Sequence, residues 1–133
     1  MTQTLFIPGP LPGLNQLLQA KAKMGQKVYR NGIRWNGLAN LKKQHGDAIY
    51  WEAMAQKLKP MTRAYLIFEW HELDDTRDPD NLVAGGRKII LDALVKAGIL
   101  PDDGWEHIAG WRDQWRLVAT KPGVLITMDE QPL

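Results

Sequence analysis

Runs of β-branched and aromatic residues alternate along this chain with longer, helix-compatible stretches, and turn residues separate the two. Thr4-Leu5-Phe6-Ile7 is a short β-prone run closed by Pro8-Gly9-Pro10, with a further turn at Pro12-Gly13. Asn15 is placed to cap a short helix reaching about Met24. The basic and polar stretch Gly25 to Trp35, with Tyr29 and Trp35 interleaved, predicts a loop or irregular hairpin. A longer helix is expected over roughly Asn36 to Leu58, on an imperfect stripe of Leu38, Leu41, Ile49 and Met54, and Pro60 ends it. Ala64 to Trp70 is the clearest strand, followed by a second long helix from Pro79 or Asn81 to Ala97 with Gly98 as its stop. Trp105 to Ala119 reads mostly as strand, Lys121-Pro122-Gly123 turns the chain, and Val124 to Met128 forms the last strand. The predicted order is β-α-β-α-β-β: an α+β fold, a mixed sheet with two main helices packed on it, in one domain spanning 1–133.

The second helix carries the most specific pattern. Ile89, Ile90, Leu91, Ala93, Leu94, Val95 and Ala97 make it apolar nearly all round, as in a helix buried on several sides. At ~100° per residue, Asn81, Lys88 and Asp92 fall within about 40° of one another. A narrow polar stripe on such a helix needs partners. One reading is an internal Lys88–Asp92 ion pair at i,i+4; the other sets Asn81 and Lys88 at the mouth of a site that handles phosphate.

Acids crowd both ends of this helix. Asp78 and Asp80 flank Pro79, and an extended chain would point both carboxylates the same way. The same residues also make an ordinary helix start, with Asp78 as N-cap and Pro79 at the first position. Asp102-Asp103 lies in a Pro-Asp-Asp-Gly turn, for which turn chemistry alone is an adequate account of Asp102. Carboxylates gathered without nearby bases favour a divalent cation between them, and aspartate-held cations serve phosphate chemistry.

Composition bounds these readings. With 44% hydrophobic and 24% charged residues the chain is typical of soluble domains, and its lack of cysteine excludes disulfides and thiolate metal sites. No apolar run approaches ~20 residues and no signal peptide is evident, so no membrane association and a cytoplasmic location are expected. Charge is uneven. Residues 1–63 hold ten Lys/Arg and two acids, a net +8, whereas 64–133 hold seven and thirteen, a net −6. A polyanion partner suits the basic part. Its candidate contacts are Lys21, Lys23, Lys27, Arg30 and Arg34, and Tyr29 and Trp35 are available to stack on bases. His45, His71 and His107 read as structural, and Trp70, Trp105 and Trp111 as core or dimer-interface residues.

Arg77-Asp78-Pro79-Asp80-Asn81, Lys88, Asp92-Ala93-Leu94, Ala97-Gly98 and Asp102-Asp103 together resemble the motif of the RusA family of Holliday-junction resolvases, common in bacteriophages and prophages. The resemblance covers about residues 77–104. It implies a homodimeric α+β endodeoxyribonuclease that needs Mg²⁺ or Mn²⁺ and cuts four-way DNA junctions symmetrically. Carried over by position, Asp78, Asp80 and Asp103 would bind metal, and Lys88 would contact the phosphate or leaving group. Arg77 would match the basic residue preceding the first aspartate, with Asn81 and Asp92 supporting. The sequence departs from the best-known member in one place: four extra residues, including Gly85-Gly86, separate Asp80-Asn81 from Lys88.

The expected activity is metal-assisted phosphodiester hydrolysis. Two alternatives stand beside it: a non-catalytic branched-DNA-binding protein, and a nuclease for flaps or forks.

Overall fold

The computed structural model of the protein describes residues 2–9, 11, 29–30, 33–34 and 37–130. Strand β1 is Thr2–Pro8, β2 Tyr29–Arg30, β3 Ile33–Arg34, β4 Ala64–Glu72, β5 Ile108–Leu117 and β6 Gly123–Asp129. Helix α1 is Gly37–Ala55 and α2 is Pro79–Lys96. Apart from the short antiparallel hairpin of β2 and β3, this is the β-α-β-α-β-β order that the sequence predicts. The hairpin falls where a loop or irregular hairpin was expected. The short helix expected from Asn15 lies outside the described residues.

The main sheet has four strands in the order β1-β6-β4-β5. Strand β6 is antiparallel to both β1 and β4, whereas β4 and β5 run parallel, so the sheet is mixed. Register aligns Leu5 with Ile126, Ile126 with Phe68, and Phe68 with Asp113, which sets one face of all four strands. That face holds the buried Leu5, Ile7, Leu66, Phe68, Trp70, Val124, Ile126 and Met128. Ile49 and Ala53 of α1 and Ile89, Ile90, Leu91, Ala93 and Leu94 of α2 complete the core. A sheet with one buried face and an alternating pattern on β4 is what antiparallel-type layering requires.

Helix ends follow from their residues. At the end of α2, Gly98 takes φ 75°, Gly98 N–H bonds the carbonyl of Val95 and Ile99 N–H that of Leu94, both at 3.0 Å. This is a Schellman turn, with the buried Ile99 as its apolar contact. Helix α1 stops at Ala55, three residues before the expected Leu58, because Lys57 takes φ 57° and the chain closes the same kind of turn onto Met54 and Ala53.

Two glutamine side chains tie the outer edge of β1 to the chain that follows α1. Gln56 accepts from Phe6 N–H (3.0 Å) and donates to the Phe6 carbonyl (2.8 Å). Gln3 exchanges the same pair of bonds with the backbone of Lys59. Edge pairing of this kind removes a site for unwanted strand addition. No helix among the described residues is long and apolar enough to cross a membrane.

Helix α2 is continuous across Gly85-Gly86, and contact with the sheet explains Gly86. A Cβ at position 86 would lie 2.8 Å from Cζ3 and 3.0 Å from Cη2 of Trp70, whose ring is fully buried and stacked on Phe68. The close approach of helix and strand depends on that missing methyl. Gly86→Ala gains about 1 kcal/mol of helix propensity, but overpacking in a dense core costs about 1–3 kcal/mol. We expect a net loss of about 1–2 kcal/mol, read as a lower urea midpoint with an unchanged m-value.

Candidate active site

The segment entering α2 is shaped by its own side chains. Asp74 accepts from Thr76 Oγ (2.6 Å) and Thr76 N–H (3.1 Å), and these bonds hold the Asp74 carboxyl below its ordinary range. Arg77 follows, half-buried. Its Nε donates to Glu72 (2.7 Å) and its Nη1 to the Leu11 carbonyl (2.6 Å), tying the end of β4 to the chain beyond β1. The guanidinium expected to meet DNA is thus engaged on protein groups at two of its nitrogens.

Asp78 is extended, with φ −66° and ψ 141°, and Pro79 opens the helix. This is the helix-start geometry weighed from the sequence, although Asp78 makes no side-chain capping bond. Extended backbone ends at Asp78, so the i,i+2 argument for converging Asp78 and Asp80 does not apply. Asp80 instead lies in the first helical turn, where the helix dipole favours a negative charge. Both residues are exposed.

Lys88 is where the site assembles. Its Nζ bonds Asp92 at 2.9 Å along the helix and Asp103 at 3.1 Å across to the turn before β5. The internal pair and the long-range pair therefore coexist on one ammonium. Hydrogen bonds donated to Asp92, then to Asp103, push the Lys88 pKa up, and the bond from Lys88 holds Asp103 below its ordinary value. Asp102 acts as the turn residue anticipated for it, accepting from Asp103 N–H at 2.8 Å.

The three candidate ligands do not meet in this arrangement. Among the described residues, no three His, Asp or Glu side chains form a group able to hold a metal ion. Helical rise accounts for this. The four extra residues before Lys88 add about one turn, which restores its face but carries it about 6 Å further from Asp80 along the axis. Asp80 and Lys88 are then separated by about 12 Å of helix, and Asp103 follows Lys88. The all-carboxylate donor set suits a hard divalent ion by chemistry, but its placement here does not fit one.

No protein-family model and no curated protein matches the chain.

Of the expected basic contacts, Lys21, Lys23 and Lys27 lie outside the described residues, as does the Asn81 side chain. Arg30 and Arg34 are described as backbone only, on opposite strands of the β2–β3 hairpin. Two of the histidines sit in structural contacts. His71 pairs with Glu69 at 2.7 Å, His107 bonds the Thr62 carbonyl at 2.7 Å, and burial lowers the pKa of His45.

Sequence reasoning missed a polar node beside this site. Asp113 on β5 accepts from Trp70 Nε1 at 3.0 Å and pairs with Arg87, whose guanidinium also lies over the rings of Trp111 (4.6 Å) and Phe68 (5.4 Å). Its signal was present in the two-residue alternation of Trp111, Asp113 and Trp115 against Arg112, Gln114 and Arg116. Trp70 is core as expected, whereas Trp105 and Trp111 are exposed in the chain by 96% and 46%.

The Lys88–Asp103 pair is exposed, so it contributes below about 1 kcal/mol. Asp103's share is present above pH 3.8 and is lost as pH falls through its depressed pKa. Lys88's share is present below pH 10.5 and lost as pH rises through its raised pKa. The pair is thus intact throughout neutral pH. Lys88→Met should raise the Asp103 pKa toward its ordinary value, seen by ¹³C NMR of the carboxyl without added divalent ions, and change stability by under about 1 kcal/mol.

Proposed function

We propose that the chain is a structure-specific DNA endonuclease that hydrolyses phosphodiesters at four-way junctions, acting as a homodimer with Mg²⁺ or Mn²⁺. The observation that carries this reading is Lys88 bridging Asp92 and Asp103, on a helix that opens with Asp78-Pro79-Asp80. An ammonium has three N–H donors. Two are taken by carboxylates, and the third is available to a phosphate oxygen on this exposed face. Asp92 and Asp103 hold the Lys88 charge in place, and that charge would offset the negative charge growing on phosphate in the transition state. Asp78 and Asp80 supply exposed carboxylates one helix end away.

A divalent ion would supply activation of water and polarisation of the phosphate. The placement of Asp78, Asp80 and Asp103 assigns it no step in the present arrangement. One observation favours a second reading, a non-catalytic branched-DNA-binding protein: the Lys88 ammonium neutralises Asp103. A flap or fork nuclease uses the same groups and differs only in substrate.

A synthetic four-way junction separates these readings. The wild type in Mg²⁺ should give paired nicks, and Asp80→Asn should bind at least as tightly while cutting about a hundredfold more slowly or worse. Binding by the wild type without cutting, in Mg²⁺ and in Mn²⁺, sinks the enzyme reading. Equal cutting of linear duplex removes the junction assignment, and faster cutting of flaps or forks replaces it.

A further inference from the structure

Trp105 is 96% exposed, the extreme among the large apolar side chains of the described residues. An indole left in water forgoes the burial of an aromatic surface of about 150–250 Å². Its position makes it more than a stray surface residue. Trp105 follows Asp103 by two residues, a reach of at most about 7 Å between their Cα atoms. The turn that presents it is fastened. His107 N–H and Ile108 N–H both bond the Gly104 carbonyl (3.1 and 3.0 Å), the His107 ring holds the Thr62 carbonyl (2.7 Å), and Ala64 N–H bonds the His107 carbonyl (2.9 Å). The indole is thus offered from an ordered platform, and little further ordering is needed when something covers it.

Between α1 and α2 lies a groove of about 270 Å³, lined by Lys42, Lys43, Asp47, Asp92 and Lys96 among others. Lys42 and Lys43 are exposed, and Lys96 leans on Asp47 at 3.4 Å. Asp92 belongs to both features, because it lines the groove and bonds Lys88. Groove lysines, the Lys88–Asp103 bridge and the exposed indole therefore form a connected series. Phosphates need the first, a scissile phosphate the second, and a base opened at the branch point the third.

We propose that branched DNA lies with its backbone along the α1–α2 groove and stacks a base opened at the branch point on Trp105. The inference rests on the nuclease reading and names how the substrate is held beside Lys88. Of these residues, Lys42, Lys43 and Trp105 lie outside the groups that carry the chemistry.

The test uses a junction with 2-aminopurine at the branch point, bound by the full chain in EDTA. With the wild type, stacking should quench the 2-aminopurine fluorescence. Trp105→Ala should abolish the quench and weaken binding by roughly ten- to a hundredfold, and Trp105→Phe should keep part of both. Lys42→Gln/Lys43→Gln should keep the quench but reduce the slope of log K against log salt by about 1.4–1.8, the effect of two lost phosphate contacts. Circular dichroism should be unchanged in all three, since the substituted side chains are exposed.

The inference is overturned if Trp105→Ala binds and quenches like the wild type. It is also overturned if that variant changes the sedimenting species from dimer to monomer, because a second copy then covers the indole. Failure of the wild type to bind branched DNA overturns both this inference and the nuclease reading. Cutting by the wild type with no change in Trp105→Ala removes only the inference.

Discussion

Helix α2 lies close against strand β4 because Gly86 has no side chain to keep the Trp70 indole away. That contact fixes the height of the helix over the sheet. Its rotation is fixed next door, where Arg87 pairs with Asp113 and lies over Phe68 and Trp111, while Asp113 also takes the indole N–H of Trp70. Consecutive helical residues differ by ~100°. Once Arg87 is turned inward to the sheet, Lys88 faces outward, toward Asp92 and the turn holding Asp103. The outward placement of Lys88 is a consequence of how a core tryptophan is accommodated.

The node has a cost as well as a benefit. Arg87 and Asp113 are mostly withdrawn from water, and such a pair adds little net stability over a well-packed apolar alternative. What it contributes is direction. An apolar replacement would fill the space but tolerate several helix rotations, whereas the guanidinium must meet Asp113. The exposed Lys88 bridge is weak by comparison, so its ammonium can exchange partners at little cost.

Much of the fold was legible because it depends on local signals. Pro79 and Gly98 bracket α2, the β-branched run at 64–70 marks β4, and Lys121-Pro122-Gly123 turns the chain into β6. The Lys88–Asp92 pair was legible too, because i,i+4 neighbours meet in any helix. The end of α1 was not, since Lys57 adopts a backbone conformation that its residue type disfavours. The edge contacts of Gln3 and Gln56 were also hidden, because the glutamines bond segments 56 and 50 residues away.

The sequence by itself determined the order of elements, the apolar identity of α2 and which residues carry charge at its two ends. These follow from periodicity and turn chemistry within a few residues. Tertiary structure alone decided which charges meet. It brought Lys88 to Asp103 and left Asp78 and Asp80 at the far end of the helix. The reason is geometric: periodicity gives the face on which a side chain lies, but distance along the axis and the return path of the following turn decide its neighbours. It also left Trp105 in water, an outcome that composition could not foretell, because a tryptophan's burial depends on what the rest of the chain brings over it.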